Sequence, residues 1–151
     1  MRLIAVGRLG NGPEAALFRR YVERLRPTPT ISEIPDGRGS PAEIRRREAV
    51  LLLAALPAQG FAVALDQEGT APDSAGLARL LSGWQESSRE VCFLIGGAEG
   101  LDRAVLARAD ATLSLGRLTW PHRLARIMLA EQIYRAHCIR DGHPYHRAGR
   151  P

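Results

Sequence analysis

The sequence predicts a single α/β domain in which helices cover both faces of a parallel sheet. Short apolar runs alternate with helical patterns along the chain, as expected for parallel strands joined by crossover helices. Two of these runs, 61–65 and 91–95, are apolar throughout, which is typical of parallel strands buried on both faces. No linker, repeat or low-complexity segment interrupts the 151 residues, so we predict one domain spanning 1–151.

The first half of the chain begins with a short apolar run that ends at Gly7 and predicts a strand. Apolar residues at helical spacing behind Pro13 predict a helix, which ends before two prolines. A weaker strand follows, and Ser40 with Glu43 three residues later forms the capping box of a second helix. The predicted elements are strand 2–6, helix 14–25, strand 31–34 and helix 41–56.

The second half repeats this alternation. One continuous apolar strand is followed by an Asp-Gln-Glu-Gly sequence, and another is followed by Gly96 and Gly97. A short helix, a fifth strand and a long final helix that starts at Pro121 complete the pattern. The predicted elements are strand 61–65, helix 73–85, strand 91–95, helix 102–108, strand 111–115 and helix 121–138.

The positive charge is concentrated near the carboxyl terminus. The net charge is +5, and residues 1–110 contain as many acidic as basic residues, so the whole excess lies in 111–151 together with all 4 histidines. Every basic residue is an arginine, and arginine forks bind phosphates well. A basic segment on a neutral body indicates a polyanionic partner, and a solvated tail without a partner is the alternative.

Several classes of protein are not favoured. The chain has no apolar stretch long enough to span a bilayer, and its start lacks the cleavage pattern of a signal peptide, so we expect a cytoplasmic protein without a membrane partner. No Cys/His spacing resembles a zinc site, so no metal is expected. Cys92 and Cys138 lie in apolar segments and are expected to be buried, reduced thiols.

Three loops that follow late strands are candidates for a ligand pocket, because ligands of open parallel sheets bind at the carboxyl ends of the strands. They contain Leu65-Asp66, Gly96-Gly97 and residues 115–121. Glycines let a ligand approach the backbone, although a double glycine after a strand is equally typical of a tight turn. The first strand is not followed by a dinucleotide fingerprint, and without lysine there is no phosphate-binding Gly-Lys-Ser/Thr loop.

A combination of motifs is more specific than any of these signals. The sequence FLIGGAEGL spans 93–101, SLGRLTWPH spans 114–122 and HPYHR spans 143–147. With the opening LIAVG and the Leu65-Asp66 pair, they resemble the RlmH (YbeA-like) family of the SPOUT superfamily of α/β-knot methyltransferases. The resemblance covers nearly the whole chain.

This resemblance implies a Rossmann-like SPOUT fold with a carboxyl-terminal trefoil knot, which general topology rules would not predict. It also implies S-adenosyl-L-methionine as the cofactor, held in the knot, and a homodimer in which the partner's surface completes each site. The expected cofactor-binding residues, matched position by position, are Leu65, Gly97, Gly116, Arg117, Leu118, Thr119, Trp120 and Pro121.

The substrate implied by the resemblance is a pseudouridine of large-subunit (23S) ribosomal RNA, methylated at N3 within the assembled ribosome. Because the cofactor's methyl group is already electrophilic, the protein has to hold the base and ease the loss of its proton. The expected catalytic residues are Tyr145 and His146, which orient the base or relay its proton, and Arg147, which binds phosphate or uracil oxygens. His122 either contributes at the pocket mouth or makes a structural hydrogen bond.

The last helix is apolar on more than one face, through Leu124, Ile127, Met128, Ile133 and Tyr134. We expect it to form the dimer interface, and burial within its own domain is the alternative. His137, on the same helix, is expected to be packed rather than catalytic.

Other side chains and functions have open alternatives. Glu99 is expected to cap the short helix rather than contact the cofactor amine, and Asp66 either lines the pocket or closes a turn. The residues 148–151 extend beyond the point where similar chains usually end. Two rival functions are methylation of another RNA, such as transfer RNA, and non-catalytic binding of RNA or ribosomes, which would not require the cofactor.

Overall fold

The computed structural model describes residues 1–87 and 89–146, and in this part of the chain five strands alternate with five helices, as predicted. The elements are β1 (Arg2–Val6), α1 (Pro13–Val22), β2 (Thr30–Ile34), α2 (Pro41–Ala55), β3 (Phe61–Thr70), α3 (Ser74–Glu86), β4 (Val91–Ile95), α4 (Arg103–Arg108), β5 (Ala111–Leu113) and α5 (His122–Arg140).

The strands form one sheet in the order β2-β1-β4-β3-β5, and every neighbouring pair is parallel. All five residues of β4 are buried, as its continuous apolar sequence predicts. Because β4, β3 and β5 are neighbours, the loops that follow them emerge side by side at one edge of the sheet. The parallel sheet predicted from the sequence is therefore confirmed.

Helices cover both faces of this sheet. On one face, α1, α3 and α5 pack around a core that includes Phe93, Leu129 and Ile133. On the other face, α2 and α4 pack around Leu94 and Val105. This two-faced arrangement separates α1 and α5 from α2, which matters for the surfaces described below.

Element boundaries differ from the prediction mainly in the third and fifth strands. β3 continues to Thr70 instead of ending at Leu65, because Leu65 and Thr70 both pair with Leu113 of β5 across an irregularity in register. Gly69 makes this possible, since a Cβ there would lie 2.8 Å from the backbone nitrogen of Leu113. β5 in turn ends at Leu113 rather than 115. The capping box of Ser40 and Glu43 is confirmed.

A buried arginine joins α5 to the sheet. The Nη2 atom of Arg126 donates hydrogen bonds to the carbonyl oxygens of Val6 (2.8 Å) and Gly7 (2.9 Å), and Nη1 forms an ion pair of 2.7 Å with Glu33. Arg126 has no exposed surface. Because Val6 ends β1 and Glu33 lies on β2, this one side chain fixes the first turns of α5 over the carboxyl edge of the sheet.

The remaining expectations about the fold concern membranes and cysteines. Within the described residues, none of the helices has the length and apolar character needed to cross a membrane. Cys92 and Cys138 are both buried and free, as expected. Burial raises the pKa of the Cys92 thiol to about 11, so it is protonated at neutral pH.

Candidate functional site

A cleft of about 320 Å³ lies at the carboxyl ends of β3, β4 and β5, where ligands of open parallel sheets bind. The three loops predicted to form one pocket all contribute to it. Its lining consists of Leu65, Asp66, Gln67, Ile95, Gly96, Gly97, Ala98, Glu99, Gly100, Leu101, Leu115, Gly116, Leu118, Thr119, Trp120, His122 and Ala125.

Most of the residues expected to bind the cofactor line this cleft, namely Leu65, Gly97, Gly116, Leu118, Thr119 and Trp120. Arg117 and Pro121 are not in the lining. The backbone carbonyl of Arg117 accepts a hydrogen bond from the side chain of Gln67, which ties this loop to β3. Pro121 precedes α5, and its carbonyl accepts the first hydrogen bond of that helix from Ala125.

The glycines of the second loop are required by close packing. A Cβ on Gly96 would lie 2.9 Å from the backbone carbon of Gly100, so the loop can close tightly only with glycine there. A Cβ on Gly97 would lie 3.0 Å from both carboxylate oxygens of Glu48. Glu48 is 3% exposed; Oε1 accepts the backbone N–H of Gly37, and Oε2 has no hydrogen-bond partner in the described structure. The cleft loop therefore rests directly on a buried carboxylate.

His122 begins α5 and lines the cleft. Burial and the positive charge of Arg126 lower the pKa of its imidazole, and the carboxylate of Asp36 partly opposes them. Asp36 lies nearby, because a Cβ on Gly7 would be 3.0 Å from Asp36 Oδ1 and 3.4 Å from His122 Nε2. His122 is therefore a neutral side chain in the lining of the cleft at pH 7.

Two acidic residues differ in their roles. Glu99 was expected to cap the short helix, and this is wrong: Asp102 is the N-cap of α4 and accepts the N–H of Ala104 at 2.9 Å. Glu99 lines the cleft instead. Asp66 lines the cleft, and its Oδ1 accepts the N–H of Glu68 at 2.9 Å within β3.

Tyr145, one of the expected catalytic residues, is not in the cleft of its own chain. Its hydroxyl donates to Glu131 at 3.0 Å, and its ring packs edge-on against Tyr134 with centroids 4.8 Å apart. The Arg135 guanidinium lies 4.9 Å from the centre of the Tyr145 ring. Glu131 is nine residues after His122 on α5, which at ~1.5 Å per residue is roughly 13 Å along the helix. The tail and the cleft are therefore separate in one protomer.

Of the other two expected catalytic residues, the structure describes His146. His146 is half-buried, and its Nδ1 is buried without a hydrogen-bond partner in the described part of the chain. Burial raises the pKa of the neighbouring Tyr145 hydroxyl, with further contributions from Tyr21 and Glu131, so this phenol stays protonated at neutral pH. Arg147 lies outside the described residues, as does the 148–151 extension.

The last helix is buried mainly by its own domain. Ile127 and Ile133 are 6% and 0% exposed and belong to the core formed with α1 and α3. Of the five apolar residues named in the prediction, Leu124 (40% exposed) and the half-buried Met128 and Tyr134 remain at the surface. The expectation that Ile133 forms part of an intermolecular face is therefore wrong, whereas Ile127 and Met128 line a second cleft between α1, α3 and α5. His137 is packed, as expected, and burial lowers its pKa.

Some residues that shape the cleft were not anticipated from the sequence. Gln67 and Ala125 line it, and Glu48 supports it from below. Glu48 could have been found by helical spacing, because Ile44, Glu48 and Leu52 are four residues apart on the inward face of α2. Its position next to three arginines makes it resemble part of a solvated charged face instead.

Known proteins match this chain over nearly its whole length. A family profile described as "Predicted SPOUT methyltransferase" matches residues 1–146. "Ribosomal RNA large subunit methyltransferase H" from Gluconacetobacter diazotrophicus is 63% identical over 151 residues, which cover 100% of this chain and 99% of that protein. The protein of the same name from Acidiphilium cryptum is 60% identical, with 100% and 96% covered. A crystal structure of the SpoU methyltransferase AviRb from Streptomyces viridochromogenes, in complex with AdoMet, aligns with a TM-score of 0.49 and 14% identity over 91% of this chain and 57% of that chain.

Proposed function

The chain belongs to the SPOUT methyltransferase family, and we propose that it methylates large-subunit ribosomal RNA with S-adenosylmethionine as methyl donor. The observation that carries this proposal is the sequence identity of 60% and 63%, over all 151 residues, with two proteins named ribosomal RNA large subunit methyltransferase H. In finer terms, the target is N3 of a pseudouridine in the assembled ribosome, so the enzyme works in the cytoplasm. A carboxyl-terminal trefoil knot, as in the family that the motifs resemble, is part of the same proposal.

The chemistry of the cleft fits S-adenosylmethionine. Its lining combines glycine backbone, which can approach and hydrogen-bond a ligand, with the unusually exposed apolar side chains of Leu118 (69%) and Trp120 (39%). Such apolar surface suits an adenine ring. Asp66 and Glu99 supply carboxylates for the positively charged end of the ligand. Arg117 and Pro121 would act by holding the loop in shape rather than by contact of their side chains.

When bound, S-adenosylmethionine supplies an electrophilic methyl group, so the protein has to orient the base and accept its proton. A phenol whose pKa is raised keeps its proton at neutral pH, so the Tyr145 hydroxyl would orient a uracil oxygen by donating to it in place of Glu131. His146, whose Nδ1 has no hydrogen-bond partner among the residues that the structure describes, is the group that can accept the N3 proton. Arg147 binds a phosphate or the second uracil oxygen.

A homodimer is part of the same proposal, and the separation of Tyr145 from the cleft supports it. Because one protomer does not bring the two together, a complete site needs the tail of a second copy. An apolar cleft of about 730 Å³ between α1, α3 and α5, lined by Leu17 and Met128 among others, is the surface that the second copy would cover. Leu17 on α1 is 41% exposed, and a second copy bound there would remove this apolar side chain from water.

The dimer is tested with a matched pair of variants. Met128→Arg places a charge on the proposed interface, whereas Leu51→Arg places one on α2, where Leu51 is 39% exposed on the opposite side of the sheet. Light scattering should report monomers for Met128→Arg and dimers for Leu51→Arg. A stable dimer of Met128→Arg would exclude this interface.

The activity is tested by methyl transfer from radiolabelled S-adenosylmethionine to ribosomes that lack the modification, with free ribosomal RNA as the comparison. We expect label on one pseudouridine, mapped by mass spectrometry, in assembled ribosomes only. Tyr145→Phe should lose transfer while calorimetry shows unchanged cofactor binding. No label with intact cofactor binding would point to another RNA, and no label without cofactor binding would point to a non-catalytic scaffold.

A further inference from the structure

Four of the five arginines that the structure describes in the basic carboxyl-terminal segment form ion pairs with acidic side chains. Arg123 pairs with Glu14, Arg126 with Glu33, Arg135 with Glu131 and Arg140 with Asp141. These are all the arginines described beyond residue 110 except Arg117. As far as residue 146, where the description of this segment ends, Arg117 is therefore the one arginine without an ion pair, although the composition suggested that the segment would itself contact a polyanion.

Free cations are found instead on α1 and on the turn that follows it, which contains Arg24. Arg19, Arg20 and Arg24 are exposed, and within the described residues none of them lies within 4.0 Å of an acidic oxygen. Their spacing puts them on one side of the helix, around a shallow hollow over the small side chain of Ala16. Glu23 is the one acidic residue in this hollow, so the α1 arginine face (Arg19, Arg20 and Arg24) keeps a positive charge.

A cluster of aromatic rings connects this face to Tyr145, which packs against α5. The Arg24 guanidinium lies 5.6 Å from the centre of the Tyr134 ring, and the Tyr134 and Tyr145 rings are 4.8 Å apart. Tyr21, on α1 itself, lies 6.3 Å from Tyr134. Cations next to tyrosine rings can bind single-stranded RNA, because the cations pair with phosphates and unstacked bases stack on the rings.

We infer that the α1 arginine face binds the phosphate backbone of the ribosomal RNA beside the target nucleotide and leads the base to Tyr145. This inference rests on the proposed function and adds the surface that the RNA occupies. It assigns substrate binding to the first helix, whose segment of the chain has no net charge in composition. The partner is an RNA strand with accessible bases, since the face combines cations with aromatic rings against which unstacked bases can pack.

A charge-matched pair of triple variants tests the inference. Arg19→Gln/Arg20→Gln/Arg24→Gln removes the face, and glutamine keeps the helical propensity. Arg45→Gln/Arg46→Gln/Arg47→Gln changes the net charge equally on α2, which packs on the opposite side of the sheet. Both variants should keep the wild-type circular dichroism, oligomeric state and calorimetric affinity for S-adenosylmethionine.

The readouts are KM for ribosomes lacking the modification and the salt dependence of binding to them. Each lost phosphate contact flattens the slope of log K against log salt by roughly 0.7–0.9, so the α1 variant should lose about 2 from the slope. Its KM should rise on the order of tenfold or more at physiological salt, whereas the α2 variant should stay near wild type.

The inference is overturned if wild-type protein transfers methyl groups and the α1 variant does so with unchanged KM and salt slope. Equal losses in the two triple variants would also overturn it, because they would reflect net charge alone. If the wild type neither binds ribosomes nor methylates them, the proposed function fails first and this inference fails with it.

Discussion

Replacing Arg126 by methionine should destabilise the protein strongly, because this side chain is the buried joint between α5 and the sheet. Methionine keeps the length and apolar character of the stem but leaves the carbonyls of Val6 and Gly7 without their donor. An unsatisfied buried polar group costs about 1–3 kcal/mol. Glu33 is 31% exposed and can be rehydrated, so we expect a total loss of about 2–5 kcal/mol.

The matched control is Arg123→Met, three residues earlier on the same helix. Arg123 also forms an ion pair, with Glu14 at 3.5 Å, but both side chains are exposed to solvent, at 48% and 40%. Exposed pairs contribute about 0–1 kcal/mol. The two variants therefore remove the same charge from α5 and differ in the burial of what they leave behind.

Urea titration followed by circular dichroism measures the free energy of unfolding of both variants. Arg126→Met should lower the midpoint with little change in the m-value, and its melting temperature should fall by roughly 4–20 °C. Arg123→Met should stay close to wild type. If the two variants lose the same small amount of stability, the buried joint does not hold α5 to the sheet.

Three further predictions concern the cleft and the core. Gly97→Ala should weaken cofactor binding measured by calorimetry, because its Cβ would lie 3.0 Å from both oxygens of Glu48, whereas Gly83→Ala, with no atom within 4 Å, should bind normally. Burial lowers the pKa of His122 from 6.5, so this side chain takes up a proton only below that pH. The added positive charge opposes a sulfonium ligand, so cofactor affinity should fall as the pH drops below 6.5 in the wild type and stay flatter in His122→Gln; equal profiles would contradict the assignment. Cys92, with a pKa of about 11, should not react with iodoacetamide in the native protein at pH 7.5 and should react in urea, as mass spectrometry would show.

The fold and the position of the cleft could be predicted because they depend on local patterns. Continuous apolar strands, the Ser40 capping box and the glycines at strand ends each specify structure within a few residues. The extension of β3 could not be predicted in this way. Its polar Asp66-Gln67-Glu68-Gly69 sequence looks like a turn, and only the pairing of Thr70 with Leu113 makes it a strand.

Charge pairing was the other property that composition concealed. Counting arginines placed the basic surface in the last quarter of the chain, but two of the arginines there, Arg123 and Arg126, form ion pairs with Glu14 and Glu33, which lie in the first quarter. Arg19 and Arg20 of α1, in a segment of zero net charge, are exposed and have no acidic oxygen within 4.0 Å among the residues that the structure describes. Such pairings join residues far apart in sequence, so no local pattern reveals them. The separation of Tyr145 from the cleft has the same origin.

The contact between Glu48 and Gly97 connects the cleft to a helix that has no residue in its lining. Gly37, Glu48 and Gly97 come from three different segments, and the Glu48 carboxylate is the point where they meet. A ligand that holds the Gly97 loop in place must therefore also hold α2 in its docked position. Amide hydrogen exchange in α2 should slow when S-adenosylmethionine is added. Binding in the cleft would then be detectable in a helix on the face of the sheet opposite to α1 and α5.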